Sequence, residues 1–468
     1  MTIPQSTLDE NTFHLRDVSL RATLAQAENA HNLISQMDLS LLDELAKSAW
    51  TDCLDLYKDT IYQLNRSIGS QIHAQTWLSA AIANEQTCQN GFLDFNLSSH
   101  LKSFPIILSD FSKFLRNSLA INKQKRNRRS LGHDHFPDWI SAVYRKLIQS
   151  SIEADIVVAK DGSGDYRTIC EALGAAEKQR SGLKRFVIYV KKGVYRENVE
   201  IKKSMKNLMF VGDGIDATIV TGNRNVQDGF TTFRSATFAV SGDGFIARGM
   251  TFENTAGPHK HQAVALRSDS DFSIFYNCSF KGHQDTLYVH SQRQFYRECD
   301  IHGTIDFIFG DALSVFQNCN IYVRKPMPNQ KNTVTAQGRK DPNENTAIII
   351  HNSHVKASSD LKPVENLYQS YLGRPWKEYS TTVFMKCRID GFIDPAGWVP
   401  WSGDFALRTL YYGEYMNTGS GAGVGGRVKW PGFHVIRSEA VAGKFSIGRI
   451  LAGDEWIPAS GVPFTAGL

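Results

Sequence analysis

The sequence lacks the motifs of several common classes of protein. None of its seven cysteines forms a Cys-x-x-Cys pair, which argues against zinc and thioredoxin-like sites. No Gly-x-Ser-x-Gly motif marks a serine nucleophile. The histidines show no His-x-x-x-His spacing, even around His259, His261 and His283, so we predict no metal and no cofactor. No apolar run reaches the length of a membrane span, and we predict no contact with a membrane.

Charge of one sign is also scarce, and it is unevenly distributed over the 468 residues. Residues 1–150 contain 15 basic and 15 acidic side chains, so the formal net charge of +5 falls entirely in residues 151–468. This excess suits an acidic ligand but is far too small to predict binding of nucleic acid. The chain is too long for one ordinary core, which predicts two or more domains.

Residues 1–122 carry the pattern of an all-α helical bundle. Glycine is scarce there, and apolar side chains recur at spacings of three and four, as on one face of an amphipathic helix. The two clearest stripes are Leu45, Ala49, Cys53, Leu56, Thr60, Leu64 and Ile68, and then Leu101, Phe104, Leu108, Phe111, Leu115 and Leu119. Helices joined by short connections favour an antiparallel bundle, and the stripes alone indicate a core without chemistry.

A basic segment, residues 123–150, follows the helical region. It contains the runs Lys123-Gln-Lys-Arg-Asn-Arg-Arg-Ser-Leu131 and Tyr144-Arg-Lys-Leu-Ile148 and has no apolar periodicity. Charge runs of this kind are usually solvated linkers. Because this one lies between two unlike regions, it is also an accessible place for a processing protease, which we predict as a partner.

From residue 151 the pattern changes to short β-type runs with frequent glycine and without intervening helices, which predicts an all-β architecture. Three segments share the order aromatic, polar, Cys, polar, large apolar. Their cysteines, Cys278, Cys299 and Cys319, are 21 and 20 residues apart. A period near twenty with one or more strands per turn predicts a right-handed parallel β-helix over residues 151–468.

The period also predicts which side chains stack. Equivalent positions in neighbouring coils of a β-helix lie about 4.8 Å apart, which is within disulfide reach. We therefore predict a Cys299–Cys319 disulfide, which would indicate an oxidising compartment. The alternative is that the three cysteines of the repeat stay reduced and pack as small apolar side chains.

Two carboxylates fall under the same rule. Asp285 and Asp306 are 21 residues apart, and each follows the last apolar residue of its strand by five positions. Stacked about 5 Å apart, they would repel each other, so one is expected to be protonated while its neighbour stays ionised. The pair therefore offers an acid and a nucleophile. The aromatic neighbours Tyr288, Phe307 and Phe309 favour chemistry over turn capping.

The second part of the chain resembles the pectin methylesterases (pectinesterases) of plants. It carries five motifs of that family in the family's order: Gly193-Val-Tyr-Arg-Glu197, Gln262-Ala-Val-Ala-Leu266, Gln284-Asp-Thr-Leu287, Asp306-Phe-Ile-Phe-Gly310 and Leu372-Gly-Arg-Pro-Trp376. The helical region resembles the family's inhibitor-like pro-region, in which Cys53 and Cys88 would form a disulfide. The basic segment resembles the motifs at which such pro-regions are removed.

The resemblance implies a role for each of these polar residues. Asp306 would be the nucleophile that attacks a methyl ester of galacturonate. Asp285 would protonate the leaving methanol and then act as base on water. Gln284 and Gln262 would donate to the oxyanion, although both could instead belong to a polar ladder along the solenoid.

Three further residues would contact the substrate or orient the nucleophile. Arg374 would pair with Asp306, and Trp376 would present a flat face to a sugar ring. Thr232 matches a substrate-contacting threonine of the family within the short motif Thr231-Thr-Phe233. Without a catalytic role, Arg374 would form an ordinary ion pair and Trp376 would pack beside Pro375.

The resemblance finally implies methylated homogalacturonan as substrate, secretion to the plant cell wall and a proteinaceous inhibitor as a partner. Residues 1–6 have neither the basic start nor the apolar core of a signal peptide, so a secreted form would need a leader upstream. A glycosidase would also use two carboxylates about 5 Å apart, but paired glutamines suit an oxyanion better. A non-catalytic protein that binds wall polysaccharide and a latent precursor are two further hypotheses.

Overall fold

A computed structural model describes residues 5–37, 39–97, 105–128, 153–180, 182 and 184–468. Its backbone contacts divide the chain into two compact units. Unit 1 comprises Met1–His135, Gly229–Arg234 and Lys340–Thr346, and unit 2 comprises Phe136–Asp228, Ser235–Arg339 and Ala347–Leu468. Among the described residues, no helix combines the length and the apolar character needed to cross a membrane.

Unit 1 contains four described α-helices: α1 Gln5–Ser35, α2 Glu44–Gly69, α3 Ala74–Asp94 and α4 Pro105–Arg128. Helix α2 is capped at its N-terminus by Asp43, whose side chain accepts a hydrogen bond from the N–H of Ala46 at 2.7 Å. The predicted stripe is buried from Ala49 to Leu64, whereas Leu45, in the first turn, is 39 % exposed. The bundle disulfide implied by the family resemblance, Cys53–Cys88, is present and joins α2 to α3.

Helix α4 continues six residues into the segment that the sequence marks as a linker. Lys, Gln and Arg are good helix formers, and cations are favourable near a helix C-terminus, so the loss of apolar periodicity at residue 123 does not end the helix. The remainder of the basic segment, including Tyr144–Ile148, lies outside the described residues up to residue 152.

Unit 2 is a parallel β-helix, as predicted, with three sheets that we call A, B and C. Each complete coil contributes one strand to each sheet in the order C, A, B along the chain. Sheet A contains Ile156–Val158, Phe186–Val190, Leu208–Gly212, Ile246–Arg248, Ser273–Tyr276, Arg293–Arg297, Leu313–Gln317, Ala347–His351, Thr381–Met385, Tyr411–Tyr415 and Phe433–Val435.

The other two sheets complete the solenoid. Sheet B contains Gly193–Arg196, Thr218–Gly222, Thr251–Asn254, Ser279–Lys281, Asp300–Gly303, Asn320–Val323, His354–Ala357 and Arg388–Ile389. Sheet C contains Val199–Ile201, Phe238–Val240, Leu266–Ser268, Leu287–Val289, Ile308–Gly310, Asn332–Gln337 and Ser370–Gly373. Among the described residues of this unit, four α-helices occur: Ile169–Gln179, Glu439–Ala442, Ile447–Ile450 and Gly453–Trp456.

The interior of the β-helix is filled by side chains that stack from coil to coil. Phe275, Tyr296 and Phe316 form one such column, with ring centroids 4.8 and 4.4 Å apart and ring planes within 9° of parallel. All three are fully buried. Stacking in register therefore builds the core. The same coil-to-coil spacing also fixes which side chains meet at the corners of the coil.

The corner between sheets A and B repeats one backbone conformation. The residue that leaves sheet A has positive φ in six successive coils, between 49° and 56°: Asn277, Glu298, Asn318, Asn352, Lys386 and Met416. A left-handed residue is what allows the chain to turn sharply there, and Asn tolerates it better than most non-glycine residues. We call this series the left-handed ladder.

The predicted Cys299–Cys319 disulfide is wrong. Both cysteines are free and buried, as are Cys278 and Cys387, and only Cys170 is an exposed free thiol. The cysteines do stack, because Asp300 and Asn320, which follow them, pair in register. In-register side chains on parallel strands point the same way, whereas a disulfide needs Cβ atoms that converge to about 3.8 Å. The thiols therefore pack as small apolar groups.

Candidate active site

Asp285 and Asp306 occupy equivalent positions in consecutive coils, at the corner between sheets B and C. The sheet C strands that follow them, Leu287–Val289 and Ile308–Gly310, pair in parallel and in register. The N–H of Asp285 donates to the carbonyl of Ile305 at 3.0 Å. Both aspartates have positive φ, 63° and 50°, and are only 7 % and 5 % exposed. The 21-residue spacing thus brings both to one corner of the solenoid.

Asp306 is fixed by contacts from two later coils. The hydroxyl of Thr333 donates to Oδ1 at 2.6 Å and accepts the backbone N–H of Asp306 at 2.9 Å. Arg374 binds both carboxylate oxygens, with Nε 2.8 Å from Oδ1 and Nη2 2.6 Å from Oδ2. Two-point pairing with a guanidinium stabilises the ionised carboxylate and sets its orientation.

The electrostatics of Arg374 are dominated by the aspartates. Burial lowers the pKa of Arg374, but the charge and hydrogen bonds of Asp306 and the charge of Asp285 outweigh burial, so the pKa lies above its ordinary value. The guanidinium also lies 4.3 Å from the ring centroid of Trp401, which is 37 % exposed. A cation over an indole face is a favourable contact that holds Arg374 in place.

Three aromatic rings form a wall beside the carboxylates. Tyr288 and Phe309 stack with centroids 4.2 Å apart, and Trp376 meets them edge-on at 6.5 and 5.8 Å. Trp376 can approach because residue 338 is glycine: a Cβ there would lie 2.9 Å from Cε3 of the indole. The wall offers a flat apolar surface of the kind against which a sugar ring packs.

Gln284 and Gln262 lie near the pair but do not form a ladder with each other. The N–H of Ala263 donates to the carbonyl of Gln284 at 3.3 Å, so Gln284 stacks on Ala263 and Gln262 is one position out of register. In the described part of the chain, no protein hydrogen bond engages either side-chain amide. Two neutral amides with uncommitted donors are suited to an oxyanion.

His283, next to Gln284, is unsuited to proton transfer near neutral pH. Burial, with a smaller contribution from the charge of Arg324, lowers the pKa of His283 to about 4, so its imidazole is neutral. No group of three or more His, Cys, Asp or Glu side chains that could hold a metal ion occurs among the residues that the structure describes. The corner presents carboxyl, amide and guanidinium groups from Asp285, Asp306, Gln284 and Arg374.

Thr232 is the one predicted catalytic or substrate-binding residue that does not belong to unit 2. It belongs to unit 1, where its backbone N–H donates to the Asp94 carboxylate at 2.8 Å. Burial raises the pKa of Asp94 to about 6 against the lowering effect of this hydrogen bond. In the same unit, Asp52 accepts hydrogen bonds from Thr231 and Arg234, the latter as an ion pair.

Sequence reasoning missed two residues of the site. Thr333 follows Asp306 by 27 residues, so the period of 21 does not point to it, although the strand register does: Ile308 pairs with Thr335. Trp401 lies in an irregular segment, where neither period nor motif gives a signal.

With this geometry in view, comparison with known proteins identifies the family. The family model for pectinesterase matches residues 155–454, and the model for plant invertase/pectin methylesterase inhibitor matches residues 3–121. The chain belongs to the pectinesterase family. It is a carboxylic ester hydrolase that carries an inhibitor-like N-terminal region.

Individual pectinesterases agree with this assignment. Pectinesterase 2 of Citrus sinensis is 53 % identical over 456 residues, covering 96 % of this chain and 88 % of that protein. The pectin methylesterase structure from carrot is 56 % identical, with a TM-score of 0.67 over 68 % of this chain and 99 % of that one. A pectin methylesterase solved in complex with a hexasaccharide is 25 % identical, with a TM-score of 0.54 over 68 % of this chain and all of that one.

Proposed function

We propose that this pectinesterase hydrolyses methyl esters of galacturonate in pectin and releases methanol and demethylated polymer. The observation that carries the proposal is the in-register pair Asp285 and Asp306, of which Asp306 is bound at two points by Arg374. Such a pair combines a fixed anion with a neighbouring carboxyl group that can exchange protons. The hexasaccharide complex of a related enzyme supports a polysaccharide substrate.

Asp306 is the nucleophile. Its oxygen adds to the ester carbonyl, and collapse of the tetrahedral intermediate breaks the bond to the methoxy oxygen and leaves an acyl-enzyme, which is a mixed anhydride. The contacts from Arg374 and Thr333 support this assignment because they engage both oxygens of the carboxylate and hold it pointing in one direction.

Asp285 is the general acid and base. As an acid it gives its proton to the departing methoxide, which leaves as methanol. As the resulting carboxylate it takes a proton from water, and the hydroxide adds to the acyl carbon and releases Asp306. The products are methanol and a galacturonic acid, whose proton is lost to solvent. Its position one coil from the nucleophile supports this role.

Gln284 and Gln262 stabilise the negative charge that develops on the carbonyl oxygen. Their amides donate hydrogen bonds without neutralising the aspartates, which a lysine or arginine would do. Trp376 and the stacked pair Tyr288 and Phe309 support the sugar ring that carries the ester.

The test is a measurement of both products of the rival reactions. The full chain, before and after cleavage near residue 150, is incubated with methylated polygalacturonate, and methanol and new reducing ends are followed together. We expect methanol without new reducing ends from the cleaved protein. New reducing ends without methanol would instead support a glycosidase, and neither product from a folded, cleaved protein would support a binding protein.

We further propose that the protein acts outside the cell, in the plant wall. We also propose that its N-terminal region keeps it latent until a protease cuts the basic segment. The support for latency is that residues 229–234, including Thr232, are held in unit 1 by Asp52 and Asp94. Methanol release should rise after cleavage near residue 150. Equal rates before and after cleavage would contradict latency. A separate inhibitor protein of this family is expected to slow the cleaved form, and failure to do so would remove it as a partner.

A further inference from the structure

A cleft lies at a different corner of the solenoid from the two aspartates. It is bounded by the last two residues of the left-handed ladder and by the C-terminal segment, and its volume is about 1210 Å³. Its lining includes Lys386, Tyr415, Met416, Glu439, Lys444 and Arg449. Sites for single small ligands usually range from roughly 300 to 1,000 Å³, so this cleft has room for more than one sugar ring.

The charge of the lining is predominantly positive. Lys386, Lys444 and Arg449 face one acidic side chain, Glu439. Lys444 and Arg449 are exposed and Lys386 is half-buried. Within the described ranges, none of the three cations takes part in an ion pair. Cations without internal partners in a concave surface raise the local concentration of anions.

The cleft contains the last two positions of the left-handed ladder, and their residue types differ from those earlier in the ladder. Three of the four preceding ladder positions are Asn, the side chain best suited to the left-handed conformation, but the last two are Lys386 and Met416, with φ of 52° and 49°. Met416 is 65 % exposed, so burial does not explain its presence there. Residues that keep an unfavourable backbone conformation without a packing reason are candidates for a functional role.

We propose that this cleft binds runs of galacturonate carboxylates from which the methyl esters have been removed. The inference rests on the proposed function, because that reaction turns a neutral polymer into one with a carboxylate on each sugar. The three cations pair with these carboxylates, and the exposed side chain of Met416 provides an apolar surface for the sugar faces. The cleft thus holds demethylated stretches of the chain while the aspartates act on a methylated stretch elsewhere.

The test compares binding of unmethylated polygalacturonate by matched variants of the full chain. One variant carries Lys386→Asn, Lys444→Gln and Arg449→Gln; Asn fits the left-handed backbone at 386, so the fold is retained. The control carries Lys178→Gln, Lys184→Gln and Arg196→Gln, which remove the same charge from exposed positions in the first coils. We expect the cleft variant to bind roughly tenfold more weakly at low salt, the control to match the unaltered protein, and neutral dextran not to bind.

Two additional measurements separate this inference from the proposed function. Methanol release from a short, fully methylated oligogalacturonide, measured after cleavage near residue 150, should be the same in all three proteins, because that substrate carries no free carboxylates for the cleft. The single substitution Lys386→Asn should weaken polygalacturonate binding about twofold and serves if the triple variant does not fold. Equal binding by the cleft and control variants, with methanol release intact, would overturn the inference alone. Loss of methanol release in every protein would instead remove the proposed function.

Discussion

Two corners of the same solenoid share the left-handed backbone conformation, but one corner is structural and the other carries the candidate active site. At the corner between sheets A and B, left-handed residues recur in six successive coils, and three of them are Asn. At the corner between sheets B and C, the left-handed residues of consecutive coils are Asp285 and Asp306, and a guanidinium binds the second. Asn and Asp are both short side chains that tolerate this conformation. Repetition over many coils marks a structural turn, whereas two acidic positions with a dedicated cation mark chemistry.

The largest expected effect on methanol release comes from replacing Asp by Asn, the residue type of the structural corner, at the catalytic corner. Asp306→Asn keeps the shape and suits the left-handed backbone, but an amide is a poor nucleophile. Methanol release should fall by about 10³-fold or more, with binding of polymer nearly unchanged. The matched change at the other corner, Asn277→Asp, should leave the rate within about twofold. More than a few percent of activity in Asp306→Asn would mean that the nucleophile is misassigned.

A second test removes the cation that distinguishes the catalytic corner. Arg374→Gln leaves the Asp306 carboxylate buried without its two-point partner, so kcat should fall by about 10²-fold while KM changes less. Arg374→Lys should recover only part of the loss, because an ammonium cannot bind both oxygens in the same geometry. Arg388→Gln, at a side chain 68 % exposed, is the control and should have no effect. Full activity of Arg374→Gln would refute the role given to the ion pair.

The cysteines at the structural corner provide a third test. After denaturation without reductant, five thiols per chain should react, and all seven after reduction, because only Cys53–Cys88 is oxidised. Cys299→Ala should lower the free energy of unfolding by about 1 kcal/mol and leave methanol release unchanged. Three reactive thiols instead of five would mean that two of the stacked cysteines form a disulfide after all.

Much of this molecule could be predicted from the period in its sequence. The period of about twenty predicts the β-helix, the stacking of Cys299 on Cys319 and the register of the two aspartates. The period does not predict the direction in which the stacked side chains point. The Cα–Cβ bonds of the stacked cysteines are parallel and do not converge, so the thiols stay reduced. The period also fails where a coil is longer than the repeat, which hid Thr333, and in irregular segments, which hid Trp401. The charge pattern placed the end of helix α4 too early because basic residues are themselves good helix formers.

The smallest expected effect lies at the last position of the left-handed ladder. Met416→Asn replaces an exposed side chain with one that suits the left-handed backbone, so the free energy of unfolding should rise by about 0.5 kcal/mol. Chemical denaturation with both proteins at the same concentration measures the difference. A decrease would mean that Met416 makes a stabilising contact and that the ladder rule does not extend to the final coil.

The separate roles of the two stacked aspartates are tested most directly with an ester whose leaving group departs without being protonated by an acid. An oligogalacturonide esterified with p-nitrophenol is mixed rapidly with Asp285→Asn and, separately, with Asp306→Asn. The Asp285→Asn protein should release a burst of about one equivalent of p-nitrophenolate and then stall, because Asp306 is acylated but no base activates water. The Asp306→Asn protein should show no burst. A burst from Asp306→Asn, or none from a folded Asp285→Asn, would contradict the assignment.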